Sequence, residues 1–392
     1  MPRGPGVRLV VAADVVPVER LSASAYTVPT DRPESDGTFA WDSTTLVLVE
    51  AEACGRRGVG YTYAEAAAAE VVTGTLAHVV SDRDALTPVA SWAAMQHAVR
   101  NLGKPGLCAT AISAVDIALW DLAARLHGVP LSMAIGAVHE GTPVYGSGGF
   151  TSYDDATLAE QLSGWAQSGI PRVKMKVGRD VDADERRVRV ARSAIGDDVL
   201  LFVDANGAYA RKEALLCGRR FAEHDVRWLE EPVSSDDLPG LRLLRDRGPA
   251  GMTIAAGEYG YDLPYFQRML DAEAVDCLQA DVTRALGISG VLRVGALCDA
   301  RSIDLSLHCA PQVSAHVGSA VWHLRHLEYF HDHVRIEAMV LVPESRRTSR
   351  DLVILVDEPA EAVASSDLVD LGWGAAGEWA RGSSLSRLRC GR

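Results

Sequence analysis

Three acidic residues close or follow short apolar runs: Asp204 ends Val199–Asp204, Glu230 lies in Arg227–Glu231, and Glu258 follows Thr253–Gly257. If those runs are adjacent strands, the three carboxylates meet at one end of a sheet. Ionised carboxylates within about 4 Å repel by roughly 4 kcal/mol per pair at an effective dielectric near 20. Taken singly, each acid reads as a surface or loop-capping group. Taken together they need protons or a cation, and an all-oxygen donor set suits Mg2+, which keeps waters or takes substrate oxygens. Asn206 shares a strand face with Asp204 and is a supporting candidate. Glu231 alternates away from Glu230 and reads as structural.

Groups suited to moving protons flank this set. Lys174 and Lys176 are two apart in Arg172–Val177, hence on one face and about 7 Å apart if the run is extended. Their mutual repulsion is about 2.4 kcal/mol at an effective dielectric of 20, nearly 2 pKa units, so one ammonium helps make its neighbour a base. His308 closes Ile303–His308, and Asp281, at the end of the preceding apolar run, can orient its ring. Glu328, in Leu327–Phe330, can donate a proton or hydrogen bond to a substrate carboxylate oxygen. His316, His323, His326, His331 and His333 show no spacing that demands a metal and read as surface or supporting groups.

These residues need a scaffold that brings many strand ends to one mouth. From Pro143 onward, strand-like runs at Pro143–Ser147, Arg172–Val177, Val199–Asp204, Arg227–Glu231, Thr253–Gly257, Ala274–Ala280, Ile303–His308 and Leu327–Phe330 alternate with helical stretches. Eight strands and seven helices are the count of a (β/α)8 barrel, whose chemistry sits at the C-terminal strand ends. A Gly-rich turn of dinucleotide-binding spacing is absent from the sequence. The first 60 residues read as β, with strands at Val7–Val18, Ser43–Ala53 and Val59–Tyr63. Helices follow near 64–80, 86–102 and 109–127, the last stopped by Gly128-Val129-Pro130.

Composition narrows the function. The 392 residues are 48% hydrophobic and 23% charged, with a net charge of −13. That is globular composition, and its acidity makes nucleic acid and anionic membrane poor partners. No apolar run approaches the roughly 20 residues of a membrane span, and Val7–Val18 lacks a signal-peptide pattern. Seven cysteines without a CxxC pair argue against a disulfide framework. A cytoplasmic enzyme is expected.

Lys-x-Lys, Asp-x-Asn, Glu-Glu-Pro, Gly-Glu, Asp and His, in this order and spacing, resemble the mandelate racemase subgroup of the enolase superfamily over roughly residues 5 to 335. The resemblance implies an α/β fold: a modified (β/α)7β TIM barrel at 140–335 under an α+β capping domain at 1–130, with an atypical tail at 337–392. It implies Asp204, Glu230 and Glu258 as Mg2+ ligands. Lys176 becomes one base, with Lys174 tuning it and contacting the substrate carboxylate. Asp281–His308 becomes the opposite base or acid, and Glu328 the donor to the carboxylate. The implied lid loop falls at Ser22–Trp41, with Tyr26 as a substrate-binding residue, and Tyr61–Tyr63 forms a second covering loop. The implied chemistry removes the proton α to the carboxylate of a small acid. A sugar-acid dehydratase is expected, with a racemase, epimerase or cycloisomerase as the alternative. A homo-oligomer, dimer to octamer, is also implied. The residues of the tail do not resemble the segment that should return to the cap.

Overall fold

The structure, a computed structural model, describes residues 15–340 together with 345–347, 352–354 and 374–375. Most of the expected strand Val7–Val18 and most of the atypical tail at 337–392 lie outside these residues. Within them, Val15–Glu19 forms no strand but an isolated bridge, Pro17 to Asp84, flanked by backbone bonds of Val16 and Val18 to Ala85, Arg83 and Asp82. The first strand among the described residues is Arg20–Ser35 (β1), which pairs antiparallel with Ala40–Ala53 (β2), itself paired with Arg56–Tyr63 (β3). Sequence reading missed β1 because half of it faces solvent and it carries Pro29 and Pro33, so it lacks the apolar continuity of a core strand.

The helices Ala67–Val71 (α1), Ala77–Val80 (α2), Pro88–Ala98 (α3) and Ala109–His127 (α4) pack together on one face of this sheet. Contact is closest at β3. A Cβ on Gly60 would come within 2.1 Å of the Ala114 carbonyl oxygen, and one on Gly58 within 2.3 Å of that of Ala118. Glycine on the strand and alanine on the helix therefore let two backbones touch. The stretch Lys104–His127 is the one described helical stretch long and apolar enough to cross a membrane. It is instead the buried core helix of this unit, with Asp116 and Asp121 paired inside the protein.

After the short helix Leu131–Ile135 (α5), eight parallel strands close into a barrel: Thr142–Gly148 (β4), Arg172–Lys176 (β5), Leu200–Asp204 (β6), Val226–Glu230 (β7), Thr253–Ala256 (β8), Cys277–Asp281 (β9), Asp304–His308 (β10) and Leu324–Phe330 (β11). Pairing of β11 with β4 completes the ring. Seven helices lie between them: Asp155–Gln167 (α6), Val181–Ile195 (α7), Arg211–Ala222 (α8), Leu238–Arg247 (α9), Leu263–Asp271 (α10), Gly287–Asp299 (α11) and Pro311–Ser319 (α12). His331–Val340 (α13) follows. This is a capped, modified TIM barrel. Ser345–Arg347 (β12) pairs with Leu352–Ile354 (β13), which adds antiparallel to β4, while Gly374–Ala375 (β14) pairs with β1 at Tyr26 and Thr27.

Polar bonds join cap to barrel. Asp116 of α4 accepts from the backbone N–H (2.8 Å) and hydroxyl (2.7 Å) of Ser289 at the start of α11. Trp92 Nε1 donates to the Leu286 carbonyl at 2.8 Å. Tyr63 stacks on His333 of α13 with ring centroids 3.4 Å apart.

Candidate active site

Parallel strands of a barrel end at one rim, and this places the sequence candidates. Lys176, Asp204, Glu230, Asp281 and His308 are the last residues of their strands, and Glu258 follows β8 by two residues. Register confirms the layer: Lys176 pairs with Asp204, Asp204 with Glu230, and His308 with Asp281. Glu328 lies within β11 opposite Tyr145. All of these side chains are buried, as is Lys174.

Asp204, Glu230 and Glu258 each offer an oxygen within 4.8 Å of the others. Asn206 bridges toward them, its Nδ2 3.3 Å from Glu258 Oε1, and its Oδ1 is buried without a hydrogen-bond partner among the described residues. An all-oxygen donor set with a free carbonyl oxygen beside it fits a hard divalent ion. Trp228 Nε1 donates to Glu230 Oε2 at 2.7 Å and fixes that carboxylate. The W-x-E spacing on one strand face was the signal for this partner. Glu231 turns away, at φ 39°, and accepts from Ser235 and the Gly257 N–H.

The lysines project into the carboxylates. Lys176 Nζ lies 2.5 Å from Asp204 Oδ2, and Lys174 Nζ bonds to Glu230 and lies 2.7 Å from Glu328 Oε1 and 3.3 Å from Asp204 Oδ2. Burial alone would lower both ammonium pKa values. The carboxylates outweigh it, Glu230 and Glu328 for Lys174 and Asp204 for Lys176, and hold both above the usual lysine range. The lysine–lysine repulsion expected from the spacing is thus the smaller effect in this arrangement. Burial pushes the Glu230 carboxyl up to about 8 against the pull of Lys174, whereas for Glu328 the charges of Lys174, His308 and Lys176 overcome burial and hold it below the usual carboxylate range.

On the far side, His308 Nδ1 is 2.7 Å from Asp281 Oδ2, and Asp281 Oδ1 is held by the N–H (2.6 Å) and hydroxyl (2.7 Å) of Thr283. His308 Nε2 faces the cluster, 3.0 Å from Glu258 Oε2 and 3.4 Å from Glu328 Oε2. Burial opposes the imidazolium, but Cys309, Glu258 and Glu328 raise the His308 pKa well above the ordinary value. The arrangement therefore sets an amine and an oriented imidazole on two flanks of an acid cluster.

The remaining candidates fall elsewhere. Tyr26 is in mid-strand β1, buried in the apolar cluster with Val28, Leu46 and Tyr61. Most of the expected lid, Ser22–Trp41, is strand. Only Thr30–Pro33, where register breaks, and the turn Asp36–Phe39 depart from the ladder. That turn reaches the barrel mouth, since a Cβ on Gly37 would come within 2.7 Å of the carbonyl oxygens of Val177 and Ala205. Tyr61–Tyr63 likewise belongs to β3 rather than a loop. His326 and His333 are interior, not surface: His326 packs among Tyr145, Phe202 and Trp228 inside the barrel, and burial holds it well below the ordinary imidazole pKa.

Residues 24–136 match the "Mandelate racemase / muconate lactonizing enzyme, N-terminal domain" family, and residues 157–359 match "Enolase C-terminal domain-like". A 3,6-anhydro-alpha-L-galactonate cycloisomerase of Streptomyces coelicolor is 33% identical over 319 residues, covering 79% of this chain and 88% of that protein. The L-talarate/galactarate dehydratase of Salmonella typhimurium is 30% identical over 335 residues, 80% and 82% of the two chains. Among solved structures, a mandelate racemase/muconate lactonizing enzyme-like protein from Rubrobacter xylanophilus superposes with a TM-score of 0.84 at 54% identity, covering 92% of this chain and 97% of that one. A racemase from Streptomyces coelicolor, solved with bound magnesium, has a TM-score of 0.83 at 29% identity, with 91% and 99% covered. A capped barrel with this rim of acids and bases, matched along both halves, belongs to the mandelate racemase/muconate lactonizing enzyme family of the enolase superfamily.

Proposed function

We propose that the chain removes the proton α to the carboxylate of a sugar acid and expels a β-hydroxyl as water, acting as an Mg2+-dependent hydro-lyase. The observation that carries this reading is the pair of proton-transfer groups on either flank of the acids: Lys176 is 2.5 Å from Asp204, and His308 is 3.0 Å from Glu258. Asp204, Glu230 and Glu258 are the residues that would hold the ion. When bound, Mg2+ supplies positive charge where the substrate carboxylate gains electron density.

The chain's own groups do the rest. Lys176 Nζ must first give up the proton that Asp204 holds on it; as the neutral amine it takes the α-proton, and the electron pair moves into the carboxylate as an enediolate. Lys174, whose ammonium is already paired with Glu328, presents positive charge to those oxygens, and Glu328 can donate a hydrogen bond to them only after it takes up a proton. His308 Nε2, its ring oriented by Asp281, gives a proton to the departing β-hydroxyl. Water leaves, and the enol product tautomerises to a 2-keto-3-deoxy acid. The dehydratase relative at 30% identity supports this outcome.

A second reading draws on the same two flanks. Without a leaving group, the opposite flank returns the proton and the product is an epimer or racemate. A racemase from Streptomyces coelicolor at 29% identity supports this reading, and the relative at 33% identity, a cycloisomerase, is an isomerase of another kind that opens or closes a ring. A panel of aldonates and aldarates incubated with Mg2+ in deuterated water separates the two. Keto-acid formation from one of the acids is the expected result, and α-deuteration without keto acid favours isomerisation. No exchange and no keto acid across the panel overturns the proposal.

A further inference from the structure

Cys309 has no part in the chemistry above, yet its thiol is in the site. Adjacent residues leaving a strand point to opposite faces. Cys309 and Ala310 break that alternation, with φ of 50° and 45°. This left-handed backbone is uncommon for residues other than glycine, asparagine or aspartate, and it is stored where geometry demands it. It brings Cys309 Sγ to 3.3 Å from His308 Nε2 and 3.4 Å from Glu328 Oε2. The third side of the triangle, Nε2 to Oε2, is 3.4 Å.

Those separations are close to the edges of a tetrahedral coordination polyhedron. Bonds of about 2.3 Å to sulfur and about 2.0–2.2 Å to imidazole nitrogen and carboxylate oxygen, at tetrahedral angles, put the donors roughly 3.4–3.6 Å apart. All three donors are buried. His308 also has the outer partner that zinc-binding histidines have, because Asp281 holds Nδ1 at 2.7 Å and leaves Nε2 to face the triangle. Glu258 Oε2, 3.0 Å from the same nitrogen, can bridge to the three-carboxylate cluster. A thiolate in the set selects a softer ion than the oxygens of Asp204, Glu230 and Glu258 do.

We propose that His308 Nε2, Cys309 Sγ and Glu328 Oε2 form a second metal site that takes a thiophilic divalent cation of the Zn2+ class. Occupation ties up the His308 nitrogen and the Glu328 oxygen. The site is therefore inhibitory, a consequence that rests on the proposed function, whereas the binding itself does not.

Co2+ titration of the purified chain tests the binding. Two ions per chain are expected, one giving a thiolate-to-cobalt charge-transfer band in the near ultraviolet. Cys309→Ser should lose the band and keep one ion in the oxygen site, and Cys54→Ser, at the exposed cysteine among the described residues, should keep both. No band in the unaltered chain, or a band that survives Cys309→Ser, overturns the site; a proton on Nε2 is then the occupant of the triangle. Zinc-edge X-ray absorption on the unaltered chain, at one equivalent of Zn2+ in excess Mg2+, needs no variant. One sulfur at about 2.3 Å supports the site, and a shell of nitrogen and oxygen alone overturns it. None of these readouts depends on turnover, so they stand or fall separately from the dehydratase reading.

Discussion

Two bases on two flanks predict two separable losses. Lys176→Ala should abolish deuterium exchange driven from the lysine side and leave exchange from the imidazole side, and His308→Asn should do the reverse; proton NMR with each epimer of a turned-over acid reads both. Full activity in both variants rejects the assignment. Asp281→Asn is subtler, because the ring remains but its orienting carboxylate, 2.7 Å from Nδ1, is lost. The histidine-side rate should fall by roughly 10²–10⁴ while the lysine side stays within a few-fold. The acids and bases were legible in the sequence because most of them close or directly follow a short strand, and a closed parallel barrel turns that position into proximity. The charge balance was not legible. Spacing alone exposes the repulsion of Lys174 and Lys176, but the bond of Lys174 to Glu230 and its 2.7 Å pair with Glu328 arise between strands far apart in sequence. Cys309 was hidden for a different reason: strand alternation points it outward, and nothing about cysteine or alanine announces a left-handed backbone.

At the scale of elements, the hairpin of β1 and β2 is what covers the mouth. Asp36 Oδ1 accepts from the N–H groups of Thr38 (2.6 Å) and Phe39 (2.7 Å) and closes the turn. Thr151 Oγ1 donates to the Asp36 carbonyl at 2.8 Å and ties it to the barrel. Gly37 makes the contact possible, since its missing Cβ is what clears two barrel carbonyls. Gly37→Val should lift the turn from the mouth at a cost to global stability of about 1–3 kcal/mol at most. Limited proteolysis should then cut within 30–39 faster than in the parent, with the melting midpoint little changed. Equal cleavage rates would mean that the turn does not seat on the barrel. The barrel elements were legible to within a few residues because short apolar runs alternating with helical stretches leave few other folds. The hairpin was not, because β1 is half solvated and its prolines and broken register imitate a loop. From the sequence, a covering function reads as belonging to Ser22–Trp41 as a whole, whereas the distal part of the hairpin makes the contacts: Gly37 at the barrel carbonyls, Ser35 to Thr151, and Trp41 against the cluster of Phe150, Cys309 and Phe330.

Over the whole molecule, cap and barrel are joined through a buried acid, and this makes stability depend on pH in a definite direction. Burial pushes the Asp116 carboxyl from 3.8 up to about 7, against its bonds from Ser289. A carboxyl whose folded pKa is raised binds its proton more tightly in the folded chain. Its stabilising contribution is complete below the unfolded value of 3.8 and is lost as pH rises toward about 7. A tenfold difference in proton affinity between the folded and unfolded chains corresponds to about 1.4 kcal/mol, so the loss across this window is at most a few kcal/mol. The general acidity of the chain, with its net charge of −13, adds self-repulsion in the same direction but is spread over the surface. Asp116→Asn separates the two. The amide carries no ionisation but keeps one acceptor for Ser289, so the variant should be less stable than the parent at pH 4.5, by about 1 kcal/mol or more. As pH rises to 7.5 the parent loses stability through Asp116 and the variant does not, so the gap should narrow or reverse. Urea unfolding midpoints of both proteins across this range read the difference directly. A gap that is constant with pH would mean that Asp116 stays ionised at the interface, and that the junction of α4 with α11 is a charged cap rather than a neutral one.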